Sequence, residues 1–461
     1  MNQHHTPAAS QAATPIASQL AAFAVEARPP EAALAISRRL LFDVTGLAVA
    51  ARDTDYVTAA LASAVDEGPC TALGHARRLT MYDAALVNGT AAHGEDYDDT
   101  FEGGPIHAGA VIVPAVLAAA ERHGLSGDTV MRAITVGAEL MCRFSLVAPQ
   151  ATHKAGFHPT AIFGAPAAAA AVGVALGLSA EAIARAFGIA GSLASGIIEY
   201  LADGSSTKRL HAGAAAQAGL RSAHLAQAGF TGPLTVFEGS HGLYKAFAPS
   251  KTPDFSKLLD GLGQRWVMET LAFKPYACGT MTQPFVDCAL RLAASGVKAD
   301  EIVAITCKVG EGTVHRLWEP LSEKHNPPNG YAGKFSTPYC MAVAFIDGEA
   351  GLGQFTDMRA RDPALRKLAA RMSYVIDPDD EYPRNFSGHL KAELVDGTTR
   401  EFTQPHMRGG AREPLDDAEL DAKLEANLRF GRLDAPAIAA LRAALAGIAD
   451  GGPVDLGAAR A

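Results

Sequence analysis

The stretch HGEDYDDTFEGGPIHAGAVIVPAVLAAAE, His93 to Glu121, joins a polar cluster directly to an apolar run. Its first half holds Asp96, Asp98, Asp99, Thr100 and His107. Its second half is apolar on every face of an expected helix, the pattern of a helix buried on all sides. Acids and imidazoles beside such a helix cost folding energy unless they are paired or used. The stretch therefore predicts a helical core with a site at its edge.

Outward from there, residues 16–265 read as helix after helix. Apolar residues recur at helical spacing in IASQLAAFAVEA, ALAISRRLLFDVTGLAVAA, VMRAITVGAELMCRF and IARAFGIAGSLASGIIEYLA. Turns such as HGLSGD and AGFTGP separate them. From residue 266 the texture changes. EIVAITCKVG is strand-like, and KFSTPYCMAVAFIDG is a helix ending at Gly348. HLKAELVDGTTREFTQP is a hairpin about Asp396–Gly397. Residues 415–461 return to helix and are expected to pack back on the first domain. The fold class predicted is mainly α with a smaller α+β domain. It comprises a disordered start (1–15), an all-helical domain (16–265), a lid-like α+β domain (266–414) and C-terminal helices (415–461).

Composition narrows the function. The chain has 461 residues, 48% hydrophobic and 19% charged, with a formal charge of −9. That balance argues against nucleic acid and anionic membranes as partners. Its six cysteines are widely spaced with no CxxC, which fits reduced thiols in the cytoplasm. No signal peptide is expected. Pro159–Ala180 is uncharged and long enough to cross a bilayer, but its Ala and Gly content reads as a buried helix.

Three further segments concentrate polar residues. HKAGFHPTAIFG places His158 at a helix start, where the helix dipole favours an anion. DGSSTKRLHAG places Lys208, Arg209 and His211 at another, suited to a carboxylate. FKPYACGTMTQP, with Lys274, Tyr276, Cys278 and Gln283, falls at the change of texture, where an interdomain cleft is expected. No Walker loop, GxGxxG or GxSxG is present. The clustered aspartates leave Mg²⁺ or Ca²⁺ open on local residues alone, but their spacing is no known calcium loop. Acids, imidazoles and lysines without a nucleotide motif suit cofactor-free proton transfer on a polyanionic acid.

The blocks NGTAAHGEDYDDT…HAGAVIVPAVLAAAE, GFHPTAIFGAPAAAA, STKRLHAGAAAQAG, FKPYACGTMTQP and GKFSTPYCMAVAFIDG resemble, in order, those of the MmgE/PrpD family. That family includes 2-methylcitrate dehydratase, cis-aconitate decarboxylase and iminodisuccinate epimerase. The resemblance implies a helical domain plus an α+β domain, a homodimer, and no metal or organic cofactor. It implies His107 and His158 as the proton-transfer pair, Asp96 orienting or charge-tuning an imidazole, and Lys208 holding a carboxylate. Thr100, His211, Lys274 and Tyr276 are then expected to bind substrate. Asp98 and Asp99 are left to loop structure or pairing. Gln283 stands where many members have a histidine. The expected activity is a 2-methylcitrate dehydratase-like lyase acting on a small di- or tricarboxylate. The alternatives are an amino-dicarboxylate epimerase and a cis-aconitate decarboxylase-like enzyme. A terpene-cyclase reading of DYDD fits poorly with 7% aromatic residues.

Overall fold

The computed structural model describes residues 14–460, so the expected disordered start lies outside the described residues as far as Ala13. The chain is mainly α, with a smaller α+β part. Two apolar cores organise it. The first is built from helices of the N-terminal half; the second centres on residues 276–394.

Helix Pro159–Ala175 is the axis of the first core, and every one of its residues is buried. It packs against Thr207–Gln227, Gly127–Leu146, Ala180–Leu193 and Gly109–His123. The uncharged stretch is thus an internal helix. Among the described residues no helix is long and apolar enough to cross a membrane.

Small residues let these helices approach closely. A Cβ on Gly89 would lie 2.7 Å from the Cα of Gly213, where helices Met81–His93 and Thr207–Gln227 cross. A Cβ on Gly213 would collide with the Leu86 carbonyl and the Thr90 hydroxyl. The two helices carry His93 at one end and Lys208 and His211 at the other. Overpacking of this kind typically costs about 1–3 kcal/mol. Gly213→Ala should therefore lower the unfolding free energy by about that amount in chemical denaturation. An unchanged midpoint would contradict the close crossing.

The C-terminal helices lie on the first core. Asp417–Phe430 packs on Glu31–Ala50, and Ala435–Ala449 on Gly127–Leu146. Lys423 secures this return, pairing with Asp43 at 2.8 Å and donating to the Tyr97 carbonyl at 2.8 Å.

In the second core, helices Gln283–Ala294 and Thr337–Asp347 pack together. A sheet runs in the order Met372–Ile376, Ile302–Val309, Gly388–Leu394, Thr399–Gln404. The first pair is parallel and the others antiparallel. The hairpin turns where Asp-Gly predicts, with Gly397 at φ 82°. Gly348 likewise ends its helix in the left-handed region. All six cysteines are buried and free.

One short pairing positions the site. Strand Thr100–Phe101 pairs antiparallel with Leu271–Ala272, matching Thr100 to Ala272. It ties the acidic loop to the segment that leads into the second core, which is why Lys274 arrives beside Asp96.

Candidate active site

The three aspartates of the loop do three different jobs. Asp99 is a helix cap. Its two carboxylate oxygens accept the backbone N–H groups of Ala108 and Gly109, each at 2.9 Å, at the start of helix Gly109–His123. Burial and the neighbouring Asp98 and Asp43 carboxylates push its pKa up to about 8, against the pull of those two N–H donors.

Asp96 is the electrostatic hub. It is buried and sits at φ 54°, a left-handed conformation that aspartate tolerates better than most residues. That turn presents its carboxylate and its carbonyl to different partners. Lys208 donates to Oδ1, the Tyr331 hydroxyl to Oδ2 at 2.7 Å, and Lys274 to the carbonyl at 2.7 Å. Burial alone would raise its pKa; the nearby Lys208 and Lys274 ammoniums outweigh that and hold it well below the usual range. Glu95 beside it is also fixed. It pairs with Lys334 at 2.6 Å and accepts from the Tyr56 hydroxyl at 2.9 Å. The second core thus reaches the loop through Tyr331 and Lys334.

Asp98 is the carboxylate in contact with the imidazoles; Asp96, expected to orient or charge-tune one, makes its hydrogen bonds to Lys208, Tyr331 and Lys274. Asp98 Oδ2 lies 2.7 Å from His93 Nδ1, and Oδ1 lies 3.6 Å from His107 Nδ1, a charge contact too long for a hydrogen bond. Burial disfavours its charge, but His107 and His93 hold its pKa below the usual range.

Four histidines form one cluster. His93 and His107 have ring centroids 4.8 Å apart, and His93 stacks on His158 at 5.5 Å. His158 and His211 are 5.3 Å apart, with Tyr200 edge-on to both. Hydrogen bonds fix two tautomers. His107 Nδ1 lies 2.6 Å from the Asp99 carbonyl, which can only accept, so Nδ1 carries the proton and Nε2 is bare. His93 Nδ1 likewise donates to Asp98, and its buried Nε2 has no partner. Burial pushes the His107 pKa down to about 3 and the His211 pKa down to about 4, and puts His158 well below its normal value.

These shifts set a pH dependence. Unfolded, each imidazole titrates near 6.5; folded, His107 and His211 resist protonation until about 3 and 4. Their contribution is complete above pH 6.5 and is lost as pH falls toward 4 and then 3. Asp99, raised to about 8, opposes this below pH 8, so the effect is read as a difference in the pH slope of the melting temperature between wild type and a variant. His107→Gln, which removes one titrating ring, should show a shallower slope. An equal slope would sink this account.

His93, Asp98 and His107 each offer a ligand atom within 4.8 Å of the others. The Nδ1 atoms of both imidazoles are engaged, His93 with Asp98 and His107 with the Asp99 carbonyl, which leaves only Nε2 of each ring open. The ammoniums of Lys274 and Lys208 also raise the cost of a cation here.

Of the residues singled out in the sequence, the structure brings Asp96, His107, His158, Lys208, His211 and Lys274 together. Thr100 is buried on its strand nearby, and its hydroxyl has no hydrogen bond among the described residues. Tyr276 points elsewhere: its hydroxyl donates to Asp287 at 2.6 Å and accepts from Arg408 at 2.9 Å. The chain bends at Pro275, so Lys274 and Tyr276 face different neighbours. Gln283 is a structural clasp, donating to the carbonyls of Tyr276 and Cys278 and accepting from the Tyr276 N–H. A hollow of about 600 Å³ lined by Asp287, Arg291, Arg408 and Glu413 shares none of the imidazoles. His93, Glu95, Tyr331 and Lys334 escaped the sequence reading. The first two stand inside the opening motif; Lys334 stands in the GKFSTPYCMAVAFIDG block and Tyr331 just before it, where no role was read for either.

Comparison with known proteins adds the family. Residues 16–256 match the MmgE/PrpD N-terminal domain, and residues 276–445 match the MmgE/PrpD C-terminal domain. The cis-aconitate decarboxylase-like protein oryM of Aspergillus oryzae is 28% identical over 378 residues, covering 77% of each chain. Cis-aconitate decarboxylase of Aspergillus terreus is 28% identical over 376 residues, 76% of this chain and 74% of that one. The Homo sapiens cis-aconitate decarboxylase is 28% identical over 368 residues, 76% of this chain and 73% of that one.

Proposed function

Starting from the fact that this chain belongs to the MmgE/PrpD family, we propose that it is a cofactor-independent lyase acting beside a carboxylate of a small di- or tricarboxylic acid. Decarboxylation of a cis-aconitate-like acid is the first reading, because the relatives named above carry that activity in their names. Dehydration of a 2-methylcitrate-like acid, the sequence expectation, is the second; nothing in those relatives favours it.

The observation that carries the proposal is the buried imidazole cluster beside the Asp96–Lys208 pair. A lyase at such a carbon needs a group that protonates a carbanion or a leaving hydroxyl. Dehydration also needs a group that takes a proton from the adjacent carbon. Neutral imidazoles can do both. The ammoniums of Lys208 and Lys274 would hold substrate carboxylates and stabilise charge developing on the carbon skeleton. A homodimer in the cytoplasm forms part of the same proposal, and light scattering of the purified protein tests the dimer.

The deciding experiment is incubation with cis-aconitate, citrate, 2-methylcitrate and iminodisuccinate, read by mass spectrometry, in water and in D₂O. Release of CO₂ with one deuterium gained on carbon is expected. Deuterium exchange with no loss of CO₂ or water would indicate epimerisation and overturn the lyase reading, as would inertness toward the whole panel.

A further inference from the structure

His211 has one side-chain hydrogen-bond partner among the described residues, and it is another imidazole. Its Nδ1 lies 3.2 Å from His158 Nδ1. At that distance two ring nitrogens share one proton, one donating and the other accepting. The backbone holds the pair in place. Gly196, at φ 127°, lies flat against the His211 ring, and a Cβ there would come within 3.3 Å of its Cγ and Cδ2. The Gly196 carbonyl also accepts the His158 N–H at 2.9 Å. A single glycine therefore fixes both members.

The other two imidazoles are already committed. His107 and His93 both spend Nδ1–H on an acceptor within the protein. Proton transfer to carbon needs a donor, and in both of these rings the Nδ1 proton is held by its acceptor. We propose that His211 is a positioning residue that donates Nδ1–H to His158 and holds His158 in its Nε2–H form. His158 is then the proton donor of the reaction. This rests on the lyase reading above.

The step balances. The bond to the departing carboxylate breaks, CO₂ leaves, and the electron pair passes to the substrate carbon skeleton. His158 Nε2 gives its proton to the carbon that receives that pair. His158 Nδ1 takes the Nδ1 proton of His211, His211 Nε2 takes a proton from water, the hydroxide left combines with the CO₂ as bicarbonate, and proton exchange with solvent returns both rings to their starting tautomers. One proton gained and one CO₂ lost is the net change.

The sequence alone suggested a different job for His211, binding a substrate carboxylate, and the two are separable. In the full-length protein labelled with [¹⁵N]histidine, long-range ¹H–¹⁵N NMR reads each ring tautomer; His158 is assigned by its loss in His158→Gln. The expected wild-type result is His158 protonated at Nε2. His211→Phe should shift that tautomer and lower kcat about 10²-fold, with KM moving less than about threefold. His211→Asn, whose side-chain N–H can stand in for Nδ1–H, should restore the tautomer and bring kcat back to within about tenfold. A wild-type His158 protonated at Nδ1 would overturn the proposal, as would His211→Phe raising KM with kcat intact. If the wild type turns over none of the panel acids, the lyase reading falls by itself, and the tautomer still judges His211.

Discussion

His158→Gln should lower kcat/KM by about 10³-fold, in the middle of the range for a positioned acid or base. Glutamine retains polar atoms near the ring position but cannot release a proton to carbon. His158 sits at the start of a fully buried helix, with its backbone N–H held by Gly196. The fold should therefore survive the change, and the circular dichroism spectrum should match wild type. The loss should fall on kcat, because the ring acts on the reacting carbon and not on the carboxylates that set KM. Activity within threefold of wild type, in a folded variant, would remove His158 from the chemistry.

The second large effect concerns Lys208. Removing one partner of a buried ion pair costs about 3–5 kcal/mol, because the remaining charge is left buried without its counterion. Lys208→Met leaves the Asp96 carboxylate with the Tyr331 hydroxyl and the nearby charge of Lys274, so the lower end of that range is expected in urea denaturation. Activity should fall by about 10²-fold or more, since a charge that binds carboxylate and stabilises the transition state is lost. The double variant Asp96→Asn with Lys208→Met separates the two roles. It removes both charges, so much of the stability should return while activity stays low. Recovery of both together would mean the pair serves only the fold.

Much of this architecture is legible along the chain because its signals are local. Helical periodicity marks the first core, and Asp-Gly marks the hairpin. The loop that holds Asp96 and His107 announces itself by density of charge. What is not legible is who meets whom. Three adjacent-looking aspartates differ because one faces a helix end, one faces lysines and one faces imidazoles, and spacing does not reveal facing. Tyr276 shares a block with Lys274 yet points away from it, because the chain bends between them. Tyr331 and Lys334 lie more than two hundred residues downstream of the loop they touch. Only the fold of the second core delivers them, and the block that holds Lys334 does not say which loop it meets.

The alanine- and glycine-built axis has a bearing on how such a chain can change over generations. A core of leucines can shed methylenes and have a neighbour grow to fill the gap. The helix Pro159–Ala175 and its partners at Gly89 and Gly213 are already near the smallest residues available. Almost every substitution there adds volume, and the residue across the contact has nothing left to give up. Drift in this region lacks compensating pairs, so the helices that carry His93, His158, Lys208 and His211 are inherited as a block. Tolerated variation is pushed outward, to surface loops and exposed helix faces.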